Sequence, residues 1–423
     1  MQGDALSMTP IRLRGAVAPL SRRANRPATA TALPTVDALV AAMLPEEPLH
    51  CLRPVTLAAT ARAFLAAFPG EVLYAVKCNP EPAVLRALWE GGVRRFDCAS
   101  AGEVRLVRSL FPEAGIHFMH PVKSRAAIRE AWERHGVRDF VLDDAAELAK
   151  ILEETGGGEG LGLVVRLALP KGRAMYDLSG KFGAAPAAAA ELLRAARPHA
   201  ARLGISFHVG SQCLDPAAYT RALALAGEVI RAAGVAVDIV DVGGGFPVSY
   251  PDVVPPPLAD FCQAIAVGFR ALGLPAGTQL WAEPGRALVA GGGSVVLQVQ
   301  ARRGEALYVN DGIYGSLSDA GVPRFRFPVR LIRPEGRAPA ATTLGFSFYG
   351  PSCDSADYMP GPFLLPEDTA PGDWIELGQI GAYGTCLRTG FNGFDRAGIA
   401  EVRDAPLLAT PGYGEAAAVT EAA

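Results

Sequence analysis

An α/β architecture, a TIM-like (β/α)8 barrel followed by a second and mostly β C-terminal domain, is the fold this sequence predicts. Three observations carry it. From residue 72 onwards eight short β-rich runs alternate with amphipathic stretches rich in Ala, Leu and Arg. The runs recur at roughly 29 residues, close to the ~30 of one βα unit. After about residue 293 helical periods become scarce and strand-like runs are punctuated by Gly and Pro.

The eight strand candidates are Val72–Lys77, Arg95–Ala99, Ile116–Pro121, Asp139–Asp143, Gly162–Leu169, Ile205–Gly210, Val237–Gly243 and Gln279–Pro284. Amphipathic helices fall between them, among them Pro82–Glu90, Ala101–Leu110, Ser124–His135 and Pro216–Ala233. Alternating β and α elements imply a parallel sheet, and eight of them imply a closed barrel, with an open doubly wound sheet as the alternative. In the second domain Val295–Gln300, Ala306–Val309, Val329–Arg333, Thr343–Phe348 and Trp374–Leu377 read as strands. The expected division is a disordered tail over 1–35, a barrel with its N-terminal segment over 36–292, a β domain over 293–412, and a tail over 413–423. Residues 36–51 look helical and are placed near the β domain. The first 35 residues, rich in Ala, Arg, Pro and Ser, also loosely resemble an organellar transit peptide, and Met8 is an alternative start.

Composition narrows the function classes. A net charge of -3 over 423 residues gives no reason to expect nucleic acid or an anionic membrane as partner. No apolar run approaches the ~18 residues of a membrane span. The seven cysteines are scattered, odd in number and without a CxxC pair, which points to free thiols in a reducing, cytoplasmic compartment and to no structural metal. Only five lysines occur (Lys77, Lys123, Lys150, Lys171 and Lys181), arginine supplying the other positive charges. A lysine kept in an apolar setting therefore stands out.

In a barrel, chemistry collects at the C-terminal ends of the strands. Lys77, Asp97, His120, Arg166, His208, the run Gly243-Gly244-Gly245 and Glu283 all fall there. Lys77 closes the run Val72-Leu73-Tyr74-Ala75-Val76. It is either a lysine snorkelling at a strand end or an amine desolvated enough to lose its proton and condense with a carbonyl. Three successive glycines let backbone N–H groups approach an anion, and barrel phosphate sites often follow strands seven and eight. Ser211 adds a hydroxyl nearby. Glu283 is either an ion-pair partner of Arg286 or the carboxylate that keeps a pyridine nitrogen protonated. A lysine, a phosphate cradle and a carboxylate at one barrel mouth point to pyridoxal 5'-phosphate.

Nine segments extend that picture, in this order: Tyr74–Asn79, Phe96–Ser100, Phe207–Gln212, Asp241–Pro247, Glu283–Arg286, Asn310–Ser316, Gly350–Asp354, Gly381–Tyr383 and Phe391–Phe394. Together they resemble the fold-type III pyridoxal-phosphate decarboxylases, the alanine racemase-like group that acts on ornithine, lysine, arginine and diaminopimelate. The resemblance runs from about residue 50 to 396. The stretch Gly350–Pro366 looks like the bacterial ornithine decarboxylases.

The resemblance implies a set of roles. Lys77 would hold the cofactor covalently, His208 would stack on its ring and Glu283 would pair with the ring nitrogen. Ser211, Gly245, Arg286 and Tyr383 would surround the phosphate, with Asp97, Arg166, Gly244 and Gly285 completing the cofactor site. Cys353 would return a proton to Cα, making Lys77, Cys353, His208 and Glu283 the catalytic set. Asp354 would bind the substrate's distal ammonium, with Tyr314 and Phe391 lining that pocket. The eukaryotic enzymes carry a second aspartate where this chain has Pro323, and Asp319 is the nearby substitute. The Cys-Asp loop would come from the other subunit of a two-fold homodimer, with Lys181 pairing across the interface to Asp357. The expected reaction is decarboxylation of L-ornithine to putrescine, the entry to polyamine biosynthesis. The alternatives are a lysine or bifunctional lysine/ornithine decarboxylase giving cadaverine, a racemase on the related barrel, and an inactive binding protein like the antizyme inhibitors.

Overall fold

The structure, a computed structural model, describes residues 33–170, 175 and 180–409. Met8, the expected tails up to residue 32 and over 413–423, Lys171 and Ser179 lie outside the described residues. Thr35, assigned to the tail, is the N-cap of helix Val36–Met43, its hydroxyl accepting the Ala38 N–H.

Sixteen strands follow in chain order. They are β1 (Leu49–Leu52), β2 (Glu71–Ala75), β3 (Arg95–Cys98), β4 (Gly115–Phe118), β5 (Asp139–Leu142), β6 (Gly162–Arg166), β7 (Arg202–Ser206) and β8 (Ile239–Asp241). Then come β9 (Gln279–Ala282), β10 (Gly293–Arg303), β11 (Ala306–Val309), β12 (Val329–Ile332), β13 (Thr343–Tyr349), β14 (Tyr358–Pro366), β15 (Trp374–Leu377) and β16 (Gly398–Glu401).

Strands β2 to β9 close in sequence order into a parallel barrel, β9 pairing back to β2 through Glu71 opposite Trp281 and Val72 opposite Ala282. These strands are buried along nearly all their length, as strands covered by side chains inside and helices outside must be. Leu73, Ile239 and Trp281 pack as one group inside the barrel, and Met119, Val141 and Val164 as another. Each such fully buried apolar side chain is worth about 1.5–3 kcal/mol against exposure. The interior is therefore a packed plug, and only the mouth is left for chemistry.

The strands end earlier than the sequence suggests. Strand β2 stops at Ala75 and the chain turns through a single 3-10 turn, Val76–Cys78, which carries Lys77. His120 and His208 likewise stand in loops, two residues beyond Phe118 and Ser206. Apolar runs continue past the last ladder pairing because loop residues at a barrel mouth are buried too, so hydrophobicity alone overshoots the end.

The second sheet has eight strands, in the path β12-β15-β10-β11-β13-β14, with β1 bound to β10 and β16. Residues 36–51, read as helical, instead divide into the helix Val36–Met43 and strand β1, which pairs antiparallel with β10 and parallel with β16. Strand β14, absent from the sequence reading, holds Pro360, Pro362 and Pro366. It lies at the end of the path, where an edge strand tolerates residues without an N–H. The apolar faces of β10, β11, β13, β14 and β15 share one core that includes Phe346, Phe348 and Phe363.

Candidate active site

A cavity of about 460 Å3 opens at the barrel mouth, with Lys77, Arg166, His208, Ser211, Gly244, Gly245, Glu283, Gly285, Arg286 and Tyr383 in its wall. Ten of the eleven residues expected around a cofactor thus line one space. The eleventh, Asp97, lies just beneath it, 2 % exposed, with its Oδ2 atom 2.9 Å from Lys77 Nζ. The side chain of Lys77 remains 46 % exposed and reaches the cavity.

Hydrogen bonds between side chains and the backbone hold this mouth. The Asn79 side chain donates to the Gly381 carbonyl and accepts the Glu81 N–H, and Tyr74 donates to the Asn79 carbonyl, so the turn carrying Lys77 is tied on three sides. Ser100 caps the helix Ala101–Leu110 by accepting the Glu103 N–H, while the Glu103 carboxylate accepts the Ala99 N–H. That fixes the loop after β3, and Ala99 lines the cavity.

The glycine run is required by close approach. Gly243 has φ 68° and a Cβ there would lie 2.2 Å from the Phe207 carbonyl oxygen; at Gly245, φ 103°, it would lie 2.4 Å from the Gly210 carbonyl oxygen. Tyr219 donates its hydroxyl to the Gly244 carbonyl at 2.8 Å, and the Cys213 N–H donates to the Gly245 carbonyl. The Gln212 amide spans to Val248, donating to its carbonyl and accepting its N–H.

Arg286 opens the short helix Arg286–Val289 and is 6 % exposed. It donates to Tyr250 Oη and to Asp319 Oδ2, both at 2.8 Å, and its guanidinium sits 5.0 Å over the Tyr383 ring. The Glu283–Arg286 ion pair considered from sequence is therefore not the arrangement here. Asp319, expected in the substrate set, is bound by Arg286 within the barrel cluster, apart from the Asp354 of its own chain.

Electrostatics at the mouth follow from burial. Burial, then the Asp241 and Asp97 carboxylates, pushes Glu283 well above the usual carboxylate range, and Glu283 Oε1 has no hydrogen-bond partner. Burial, then the Arg166 and Lys77 charges, holds His208 well below the usual histidine range, so its ring is neutral. Its Nδ1 accepts the Gly210 N–H, leaving the proton on Nε2. Lys77 departs from expectation. Burial opposes its charge, but the oxygens of Asp97, Tyr383 and Glu283 outweigh burial and keep the amine protonated above the usual lysine range. Desolvation is present; the buried carboxylate beside it wins.

The remaining candidates form a second group. Cys353 is exposed and Asp354 half-buried on the β13–β14 loop, and neither they nor Tyr314 nor Phe391 line the barrel cavity. Asp354 accepts the Ala356 N–H and the Tyr314 hydroxyl, which hold its carboxyl below the usual range. Tyr314 and Phe391 stand with ring centroids 4.7 Å apart. Asp357 is 2 % exposed and accepts hydrogen bonds from the Ile313 N–H and from the Ser352 N–H and hydroxyl, all within its own chain. Within its own chain the Asp357 carboxylate is thus tied to the segment that carries Tyr314 and to the loop that carries Cys353. Lys181 and Phe182 line the cavity wall with His120, whose ring meets Phe182 edge-on at 5.1 Å.

Sequence reasoning missed Tyr219, Tyr250 and Asp241. Tyr219 sits in the first turn of helix Ala217–Ala233 and Tyr250 in a Pro/Val-rich loop, and nothing local marks either as a support of the mouth.

A family profile described as "Pyridoxal-dependent decarboxylase, pyridoxal binding domain" matches residues 55–290. A lysine/ornithine decarboxylase of Selenomonas ruminantium is 34% identical over 349 residues, covering 80% of this chain and 85% of that protein. Antizyme inhibitor 2 of Xenopus laevis is 32% identical, covering 79% of this chain and 76% of that one. Among solved structures, the lysine/ornithine decarboxylase of Vibrio vulnificus complexed with cadaverine superposes with a TM-score of 0.73 at 32% identity, over 84% of this chain and 95% of that one.

Proposed function

The chain belongs to the pyridoxal-dependent decarboxylases, and we propose that within them it converts L-ornithine to putrescine. The cofactor of this family, pyridoxal 5'-phosphate, fits the barrel mouth on physical grounds. The backbone at Gly243–Gly245 approaches too closely for side chains, as a phosphate cradle needs. The buried Glu283 carries an oxygen without a partner, as a site for a ring N–H needs. The bound cofactor supplies an electron sink for the pair left on Cα as carbon dioxide departs.

The chain's own groups do the rest. Lys77 would bind the cofactor's carbonyl carbon. The neutral His208 ring would lie against the pyridine face, and Glu283 would hold the ring nitrogen. Ser211, Gly244, Gly245, Gly285, Arg286 and Tyr383 would hold the phosphate end, with Asp97 and Arg166 setting the charge around Lys77. Cys353 would deliver a proton to Cα, and Asp354 would bind the distal ammonium beside Tyr314 and Phe391. Because the Cys353 surface does not line the Lys77 cavity of its own chain, the working unit is read as a two-fold homodimer with shared sites. The free cysteines, mostly buried, suit a reducing cytoplasm.

The observation that carries the substrate reading is Asp354, a half-buried carboxylate held below its usual range next to an aromatic pair, suited to a short chain ending in an ammonium. A bifunctional lysine/ornithine decarboxylase is the second reading. It is favoured by Arg286 occupying Asp319, which leaves Asp354 as the one assigned anchor and so sets chain length loosely. The test is carbon dioxide release, with and without added cofactor, from ornithine, lysine, arginine and meso-diaminopimelate. Release mainly from ornithine is expected. Equal rates on lysine would move the chain to the second reading, and silence on all four would favour an inactive binding protein.

A further inference from the structure

We propose that Asn392 is a positioning residue for the Cys353 thiol and thereby sets which carbon receives the proton after decarboxylation. The proposal rests on the reading of Cys353 as proton donor to Cα. Asn392 Oδ1 accepts from the Cys353 N–H at 3.1 Å and from the Cys353 S–H at 3.3 Å, so one amide oxygen fixes both the backbone and the sulfur of the same residue.

The turn that presents Asn392 is anchored on both sides. The Thr389 N–H donates to the Tyr314 carbonyl, and the Phe391 N–H donates to Thr389 Oγ1. Arg388 binds Asp311 and Ser316 in the segment that carries Tyr314, and also donates to the Phe394 carbonyl. Asn392 itself is left-handed, φ 52°, a conformation that asparagine tolerates better than most residues. An exposed cysteine would otherwise sample several rotamers. With the sulfur held, rotation about the Cβ–Sγ bond alone swings the proton from the amide oxygen toward a substrate carbon.

The chemistry gives a readout. Once carbon dioxide has left, a proton placed on Cα yields the diamine. A proton placed instead on the cofactor's carbonyl-derived carbon, followed by addition of one water, yields an aldehyde and the amine form of the cofactor. In that outcome the substrate carbon is oxidised and the cofactor reduced, and no outside oxidant is needed. A well-placed thiol therefore shows as a low aldehyde-to-diamine ratio.

Asn392→Gly keeps the left-handed backbone free of strain and removes the acceptor; Asn392→Asp keeps an acceptor. In the cofactor-loaded enzyme, Asn392→Gly should raise the aldehyde-to-diamine ratio about three- to tenfold, what one ordinary hydrogen bond allows. KM should be unchanged, and Asn392→Asp should restore most of the wild-type ratio. The double variant Cys353→Ala/Asn392→Gly should match Cys353→Ala alone, since Asn392 acts through the thiol. If Cys353→Ala raises the ratio and Asn392→Gly does not, the positioning role fails while the proton-donor reading stands. If Cys353→Ala leaves the ratio at its wild-type value, the donor reading fails and takes this proposal with it. A change in KM alone, with the ratio constant, likewise overturns it.

Discussion

Lys77, Asp97 and Glu283 hang from the ends of strands in a closed barrel, where each strand is held by parallel neighbours on both sides. Cys353, Asp354, Tyr314 and Phe391 hang from loops and turns of the second domain, Cys353 and Phe391 exposed and Asp354 and Tyr314 half-buried. The first group sits within one chain: Lys77 and Glu283 line one cavity with Asp97 against Lys77, burial and neighbouring carboxylates set its charges, and hydrogen bonds from Tyr219, Gln212 and Asn79 fix its backbone. The second group has chemistry but no enclosure. Phe391, Phe394 and Leu387 leave 42%, 44% and 41% of their surface exposed close to the thiol's anchor. A cofactor needs a preorganised, dry site before it binds, and a folded monomer can build one. A proton donor and a charge reader are needed only when substrate is present, and a second surface can bring them.

That contrast is most directly broken by separating the two groups onto different chains. Lys77→Ala should remove both activity and the visible absorbance of the bound cofactor, and Cys353→Ala should keep the absorbance and divert the product. Mixed and allowed to exchange subunits, the two populations should recover about a quarter of wild-type diamine formation, because half the dimers carry one intact shared site out of two. No recovery, with dimers shown to exchange, would mean that one chain closes its own site and that the exposed surface must move to do so.

The next largest effect concerns the exposed region alone. Asp354→Ala should raise KM for ornithine at least about tenfold, the loss of one charge-assisted contact, with cofactor absorbance unchanged. Tyr314→Phe, which removes the hydroxyl bound to Asp354 and leaves the ring, should give a smaller rise in the same direction. An unchanged KM for Asp354→Ala would place the distal amine elsewhere, and the two regions would no longer divide into cofactor and substrate.

How much of this was legible in the sequence follows the same division. Residues at the barrel mouth announce themselves because a parallel strand reads as an apolar run, and a Lys, Glu or glycine triplet at its end interrupts that run. The second domain hides its elements. Strand β14 carries three prolines and β1 lies far in sequence from the strands it joins, so neither leaves a local period. The upward shift of Lys77 was not legible because sequence shows the apolar run before it, and not the Asp97 carboxylate that folding delivers from twenty residues away. The intrachain donors to Asp357, Ile313 and Ser352, were hidden for a similar reason: they become visible only once the loops are packed.

A further prediction sharpens the buried side of the comparison. Glu283 is held above its ordinary value by burial and by two nearby carboxylates. A carboxyl raised in the folded state binds more protons folded than unfolded. The stability it lends is therefore complete below the unfolded value, about 4.3, and is lost as pH rises through the folded one. Glutamine keeps the neutral shape at every pH. Cofactor-free Glu283→Gln should hold its stability where the wild type declines, opening a gap of about 1–3 kcal/mol toward alkaline pH, readable by urea unfolding across a pH series. Its carbon dioxide release should fall, since an amide cannot keep the ring nitrogen protonated. Parallel stability curves for the two proteins would mean that Glu283 is ionised in the empty site.

The smallest effect is expected where a support acts through backbone only. Tyr219 does not line the cavity; its hydroxyl holds the Gly244 carbonyl from beneath, and its ring packs against Phe246 at 5.3 Å. Tyr219→Phe keeps that packing and leaves the Gly244 carbonyl without its buried donor. Loss of one neutral hydrogen bond is worth about 0.5–1.5 kcal/mol, so cofactor affinity should weaken roughly two- to tenfold. KM for substrate measured at saturating cofactor should not move, because the Asp354 surface is untouched. A shift in that KM would show that the glycine loop and the Cys353–Asp354 surface are mechanically joined, and the two regions would then have to be treated as one.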